Sequence, residues 1–130
     1  MNHRTFLAST LTAVLFVGAG AAQALTIKPF TGADLAAAQN AGTPVAVHFH
    51  ADWCPTCRAQ DKALQSLKDD PALKNVTLLQ ADYDQEKALK KDMNIRTQST
   101  FVVFKGKIEV GRSAGVTDPQ QIKAVLSAGL

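Results

Sequence analysis

The sequence predicts an α/β sandwich, a mixed central sheet covered by helices on both faces. Between residue 31 and about residue 93, runs of strand character alternate with runs of helical spacing, an order that produces parallel strands joined by crossover helices. After that come two short apolar runs separated only by Lys105-Gly106-Lys107, the pattern of an antiparallel hairpin at the sheet edge. The length of 130 residues, with 46% hydrophobic and 19% charged, suits a single domain and excludes a disordered, collagen-like or Pro-rich chain.

Residues 1–24 are expected to be a cleavable signal. Arg4 gives a short positive start, Phe6 to Ala22 carries no charge, and Ala22-Gln23-Ala24 is a small-x-small cleavage site. The uncharged run is shorter than the roughly 20 apolar residues needed to span a bilayer and is diluted by Ser9, Thr10, Thr12, Gly18 and Gly20. The domain is therefore expected to run over 25–130, outside the cytoplasm and not embedded in the membrane.

Along that domain, Thr31 or Asp34 starts a short Ala-rich helix that Gly42 ends. Val45–His50 is a compact β-rich run suited to a buried strand. Cys54 to about Lys68 places Ala59, Ala63, Leu64 and Leu67 at helical spacing before Asp69-Asp70-Pro71 stops it. Val76–Tyr83 is a second strand. Gln85–Met93 is a helix with Ala88, Leu89 and Met93 inward and Lys87, Lys90 and Lys91 on a solvated face. Phe101–Phe104 and Ile108–Ser113 form the hairpin. Asp118-Pro119 caps a last helix whose inner stripe is Ile122, Val125 and Leu126. The expected order is helix, strand, helix, strand, helix, strand, strand, helix.

Chemistry concentrates in Ala51-Asp52-Trp53-Cys54-Pro55-Thr56-Cys57-Arg58, where a buried strand gives way to a helix. A thiol in the first helical turn meets free N–H groups and the positive end of the dipole, which favour its thiolate, the nucleophile of disulfide exchange. Cys57, one turn on, is placed to attack a mixed disulfide formed at Cys54. Other readings compete. A structural bridge would close too small a loop to add much stability. A metal site would need His48 or His50 as further ligands. Covalent haem attachment requires His directly after the second cysteine, and that residue is Arg58. The net charge of +3 is small and spread out, so no nucleic-acid partner is expected.

With these elements in order, the chain resembles the thioredoxin family over essentially its whole length after residue 24. The resemblance rests on Trp53-Cys54-x-x-Cys57, Ala51-Asp52, Ala81-Asp82-Tyr83-Asp84, Ile95-Arg96, Thr100 to Lys105, and Gly115. It implies a thioredoxin-like three-layer sandwich and thiol:disulfide oxidoreductase activity. Within the family the chain is similar to secreted thioredoxin-like proteins and to the C-terminal domain of the transmembrane thiol:disulfide interchange protein. By resemblance Cys54 is the exposed attacking thiol, Cys57 the resolving thiol and Trp53 a flat apolar wall for a substrate polypeptide. Pro55 tunes the pair and faces substrate, as do Gln98 and Ser99, while Gly115 borders the groove.

Two departures stand out. Ser99 occupies the position of the family's cis-proline, and a trans Gln98–Ser99 bond is expected because cis costs about 2.5–4 kcal/mol without proline. Its hydroxyl is then available to hydrogen-bond a thiolate. His48 replaces a buried acid beneath Cys57, and is expected to act as a base there, or, if protonated, to favour the thiolates. His50 points to the same side of the strand.

The expectation is a monomeric periplasmic enzyme that reduces disulfides in protein substrates, needs no cofactor, and is resupplied with electrons by a transmembrane thiol-reductant transporter. Reduction is favoured over oxidation because no helical domain is inserted, as it is in dedicated oxidants. The alternative is a non-catalytic metal-binding or redox-sensing module that uses Cys54, Cys57 and His48.

Overall fold

Val45 to Phe49 are all fully buried, which marks this stretch as the strand around which the domain is built. The computed structural model describes residue 18 and residues 24–130; the predicted signal lies outside the described residues except for Gly18 and Ala24. Among the described residues the element order is β1 (Thr26–Pro29), α1 (Gly32–Ala41), β2 (Pro44–His50), α2 (Pro55–Leu67), β3 (Thr77–Asp82), α3 (Lys87–Asp92), β4 (Thr100–Lys105), β5 (Ile108–Ala114) and α4 (Pro119–Leu126). Short 3-10 turns follow α2 and α4.

The five strands form one sheet in the order β1-β3-β2-β4-β5. β1 and β2 run parallel to β3, while β4 is antiparallel to β2 and β5 to β4. A register shift between Val103 and Phe104 puts a bulge into the edge hairpin. The mixed sheet with its antiparallel edge is the predicted one. β1 was not predicted. It is four residues long, contains Lys28 and Pro29 and lacks period-two alternation, so only its parallel register with Thr77–Gln80 makes it a strand.

Helices cover both faces because adjacent residues of a strand point to opposite sides. Ala46, Leu78, Phe101 and Val103 pack with Ala63, Leu64 and Leu67 of α2 and with Ile122 and Leu126 of α4. Val45, Val47, Phe49, Leu79 and Val102 pack with Leu35 of α1, and Leu89 and Met93 close the same side. Caps set the helix ends. Thr31 Oγ1 accepts from the Asp34 N–H, Asp118 accepts from the N–H groups of Gln120 and Gln121, and Gly42 ends α1 at φ +71°.

α3 is shorter than the expected Gln85–Met93 and differs from its prediction at two positions. Ala88 is exposed, and Lys90 instead turns its ammonium over the Tyr83 ring, 3.8 Å from the centroid. No helix among the described residues is long and apolar enough to cross a membrane.

Burial predicts sharply different tolerances within the sheet. Phe49→Ala, at a fully buried position of β2, is expected to cost about 3–5 kcal/mol. Ile108→Ala, on edge strand β5 and 71% exposed, is expected to stay within about 0.5 kcal/mol of the parent. Urea unfolding of both variants checks this, and comparable losses would contradict the assignment of β2 as the structural centre.

Candidate functional site

β2 delivers the chain to the start of α2, and the cysteines sit at that junction. Cys54 is the N-cap residue, with extended backbone, and its Sγ accepts the Cys57 N–H at 3.1 Å. Pro55 occupies the first helical turn, where its missing N–H leaves no bond unmade. Both thiols are free, and both are buried: Cys54 is 1% exposed and Cys57 0%. That corrects the expectation of an exposed attacking thiol. The sulfur is enclosed because the loop before β4 closes over it.

Ser99 is the closing residue. Its hydroxyl lies 3.2 Å from Cys54 Sγ and 3.1 Å from Cys57 Sγ. The Gln98–Ser99 bond is trans, as expected, since the described residues contain no cis peptide. Ser99 takes φ +63°, a left-handed conformation uncommon for a residue other than glycine. Its N–H donates to the Phe49 carbonyl at 2.8 Å and its carbonyl accepts from the Gly115 N–H at 3.0 Å. With the backbone engaged internally and the residue 3% exposed, Ser99 faces the thiols and not a substrate strand.

The pair is made unequal by groups other than the shared hydroxyl, which draws both thiols down. That hydroxyl carries a single proton, so it donates to one sulfur while accepting from the other. Burial pushes the Cys54 thiol up, but hydrogen bonds from Cys57, from Ser99, from the Cys57 N–H and from Gln98 outweigh it, leaving Cys54 below its ordinary range. Cys57 goes the other way. Burial and then the neighbouring Cys54 push it up, more strongly than Ser99 and the backbone near Ala51 draw it down. Of the two, Cys54 is therefore the more readily ionised and Cys57 the less.

His48 does not touch the sulfurs. Its ring is fully buried and stacked on Phe101, with centroids 4.3 Å apart and planes 9° apart, and its Nε2 bonds Gln60 Oε1 at 2.8 Å. Burial lowers its pKa to about 4 against the partial support of the Gln60 bond, so it is neutral near pH 7. A neutral imidazole bonded to Gln60 is not the positive charge, nor the base titrating near neutral pH, anticipated from the sequence. His50 shares its side of β2, as period two requires, but bonds Asp61 Oδ2 at 2.8 Å.

Trp53 is 57% exposed, an apolar surface beside the pair, with its indole N–H donating to Asp84 Oδ2 at 2.7 Å. A cleft of about 310 Å³ lined by His50, Asp52, Trp53, Gln80, Asp82 and Asp84 opens there and includes neither sulfur. Pro55 is exposed and Gln98 half-buried at the rim. Arg58, which follows Cys57, turns back to donate to the Asp52 carbonyl at 3.0 Å and does not face the thiols.

Gln60 was missed by sequence reasoning. It sits three residues after Cys57 on the buried stripe of α2, and a polar residue on that stripe was the available signal. Among the described residues, no three His, Cys, Asp or Glu side chains gather in a way that would hold a metal ion. His48, the third ligand of the metal alternative, bonds Gln60 through Nε2 and leaves Nδ1 without a partner among the described residues.

Comparison with known proteins agrees with this geometry. A family model described as Thioredoxin matches residues 29–128. The chain is 39% identical over 62 residues to Thioredoxin Asp f 28 of Aspergillus fumigatus, covering 48% of this chain and 56% of that one, so it spans little more than half of that relative's length. It is 29% identical over 83 residues to the Thioredoxin of Chlamydia trachomatis, covering 64% of this chain and 79% of the relative. The solved structure of Trxlp from Edwardsiella tarda EIB202 superposes with a TM-score of 0.74 at 32% identity, covering 78% of this chain and 99% of that one.

The burial of His48 has a pH consequence. Above pH 6.5 the imidazole is neutral whether the chain is folded or not, so it costs nothing. As pH falls from 6.5 toward about 4, the unfolded chain takes up a proton that the folded one refuses, and stability drops. The expected loss is on the order of 3 kcal/mol. Urea unfolding at pH 7 and pH 4 should show a smaller drop for His48→Gln than for the parent; equal drops would count against a neutral buried His48.

Proposed function

Because the chain belongs to the thioredoxin family, we propose that it is an exported thiol:disulfide oxidoreductase of a bacterial periplasm that reduces disulfides in protein substrates. The family is redox-active, and the chain carries its Cys-x-x-Cys pair at residues 54 and 57. The observation that carries the reading is the unequal pair: one buried hydroxyl within 3.2 Å of both sulfurs, with Cys54 drawn toward the thiolate and Cys57 held as the thiol.

The Cys54 thiolate attacks one sulfur of a substrate disulfide. That S–S bond breaks, a mixed disulfide forms at Cys54, and the other substrate sulfur leaves as a thiolate that takes a proton from solvent. Cys57 then attacks Cys54 Sγ, its proton passing to the departing substrate sulfur, which leaves as the second thiol. The substrate gains two electrons and Cys54–Cys57 becomes the disulfide. The cysteines hold the electrons themselves, so no bound cofactor enters the cycle. Trp53, Pro55 and Gln98 form the rim over which the substrate approaches, and the Ser99 hydroxyl steadies the thiolate.

Export rests on the Arg4 start, the uncharged run and Ala22-Gln23-Ala24. In that compartment the oxidised pair needs an electron source, for which a transmembrane thiol-reductant transporter is the proposed partner. The mature chain is proposed to act as a monomer.

Reduction of insulin by dithiothreitol should be accelerated by the parent protein and not by Cys54→Ser. Cys57→Ser should instead accumulate a mixed disulfide with the substrate, visible by mass spectrometry without reductant. A Cys54→Ser protein as active as the parent would overturn the assignment. For export, the mass of the protein recovered from a periplasmic extract should correspond to a chain starting at Leu25; an intact chain confined to the cytoplasm would overturn that part.

A further inference from the structure

Gln60 is fully buried, yet its amide is completely satisfied. Oε1 lies 2.8 Å from His48 Nε2, and Nε2 donates to the carbonyls of Ser99 at 3.0 Å and Val116 at 2.9 Å. Two carbonyls on the nitrogen side fix the orientation of the amide, since only its NH₂ can donate to both. The oxygen must then face His48, which must donate from Nε2. Neutral His48 is therefore the Nε2–H tautomer, and its Nδ1 is left as an acceptor. Nδ1 is indeed one of the two buried side-chain atoms without a partner among the described residues.

The same amide fixes Ser99. Its carbonyl receives two donors, the Gln60 NH₂ and the Gly115 N–H, while its own N–H is tied to Phe49. Three bonds thus hold one residue at φ +63°, a conformation that costs free energy for serine and persists only where its surroundings impose it. The side chain of that residue is the one set between the sulfurs. Gly115 and Phe49 contribute backbone groups, Gly115 from a left-handed φ of +76° that favours glycine; Gln60 alone contributes a side chain.

We propose that Gln60 is the positioning residue of the cysteine pair: its buried amide holds the Ser99 backbone in the left-handed conformation that sets the Ser99 hydroxyl against both sulfurs, and fixes His48 as the Nε2–H tautomer. This deepens the functional reading above and rests on Cys54–Cys57 being the reactive pair. Gln60 touches neither sulfur, so its influence must pass through Ser99. The groups that face the sulfurs are then the Ser99 hydroxyl and Gln98 from the loop, the Cys57 N–H from α2 and the backbone at Ala51, with the Tyr83 ring packed against the same cluster, His48 bonded to Gln60 and no cation among them.

The test is a double-mutant cycle on the full-length reduced protein, read by thiolate absorbance near 240 nm across pH. Gln60→Met keeps the volume and removes all three hydrogen bonds. It is expected to lower the Cys54 thiolate share at pH values below its titration about fivefold, the equivalent of one hydrogen bond. In a Ser99→Ala background the same change should leave that share within about 1.5-fold, because the bond it acts through is already gone. A purely structural Gln60 would lower the unfolding midpoint and leave the first thiol titration in place. No shift in the parent background, or an equal shift in both, overturns the proposal.

Should Gln60→Met fail to fold, ¹⁵N NMR of His48 in the unaltered protein decides. The Nε2–H tautomer is expected, and the Nδ1–H tautomer overturns the proposal, because the amide would have to be reversed. Insulin turnover by the unaltered protein is scored separately. Turnover without coupling between Gln60 and Ser99 removes the role of Gln60 alone, whereas coupling without turnover removes the functional reading and leaves the positioning intact.

Discussion

Strand β2 is the constraint on which the rest depends. It pairs on both edges, parallel with β3 and antiparallel with β4, and both its faces lie under helices. A strand so enclosed has no freedom of register, since a slip of one residue would exchange its two faces. Everything at the site is indexed to it. Its end launches α2 with Cys54 at the cap, its Phe49 carbonyl accepts from the Ser99 N–H, and its His48 donates to Gln60. Cys54 and Gln60 come from one helix and Ser99 from the loop before β4, and the three meet because one strand spaces both segments.

Local chemistry then divides two identical side chains into different roles. Both sulfurs are buried, and burial alone would make both reluctant to ionise. The difference comes from hydrogen bonds. Cys54, at the cap, collects the Cys57 N–H in addition to the shared hydroxyl, whereas Cys57 lies against a partner already disposed to carry the charge. Formal charges play little part. Arg58 is turned away and His48 is neutral, so the asymmetry comes from short-range donors and not from salt-sensitive attraction.

What was legible in the sequence follows the same division between local and assembled features. β2, α2 and the closing hairpin announced themselves through composition and spacing, and the cysteine pair through its place at a strand-to-helix junction. β1 was hidden because four residues including Lys28 and Pro29 become a strand only when β3 offers an edge. Ser99 was recognised as a departure, but its left-handed backbone depends on partners at residues 49, 60 and 115 that no local pattern reveals. His48 was placed on the correct face and given the wrong contact. The error has a physical source: face follows from period two, while a hydrogen-bond partner depends on which side chain of α2 stands opposite, and that is Gln60.

The enclosure of the sulfurs also bears on damage. Thiols that react readily with peroxide combine thiolate character with access, and those that have both proceed to sulfenic and then irreversible acids. Here the two properties are separated, because Cys54 is disposed to ionise while only 1% of it meets solvent. A small oxidant arriving at this surface meets the loop carrying Ser99 before it meets the sulfur. On the function proposed above, a polypeptide settling on Trp53 would bring binding free energy that a small oxidant lacks. Sparing from peroxide would then follow from enclosure alone, with no change in the intrinsic reactivity of the sulfur.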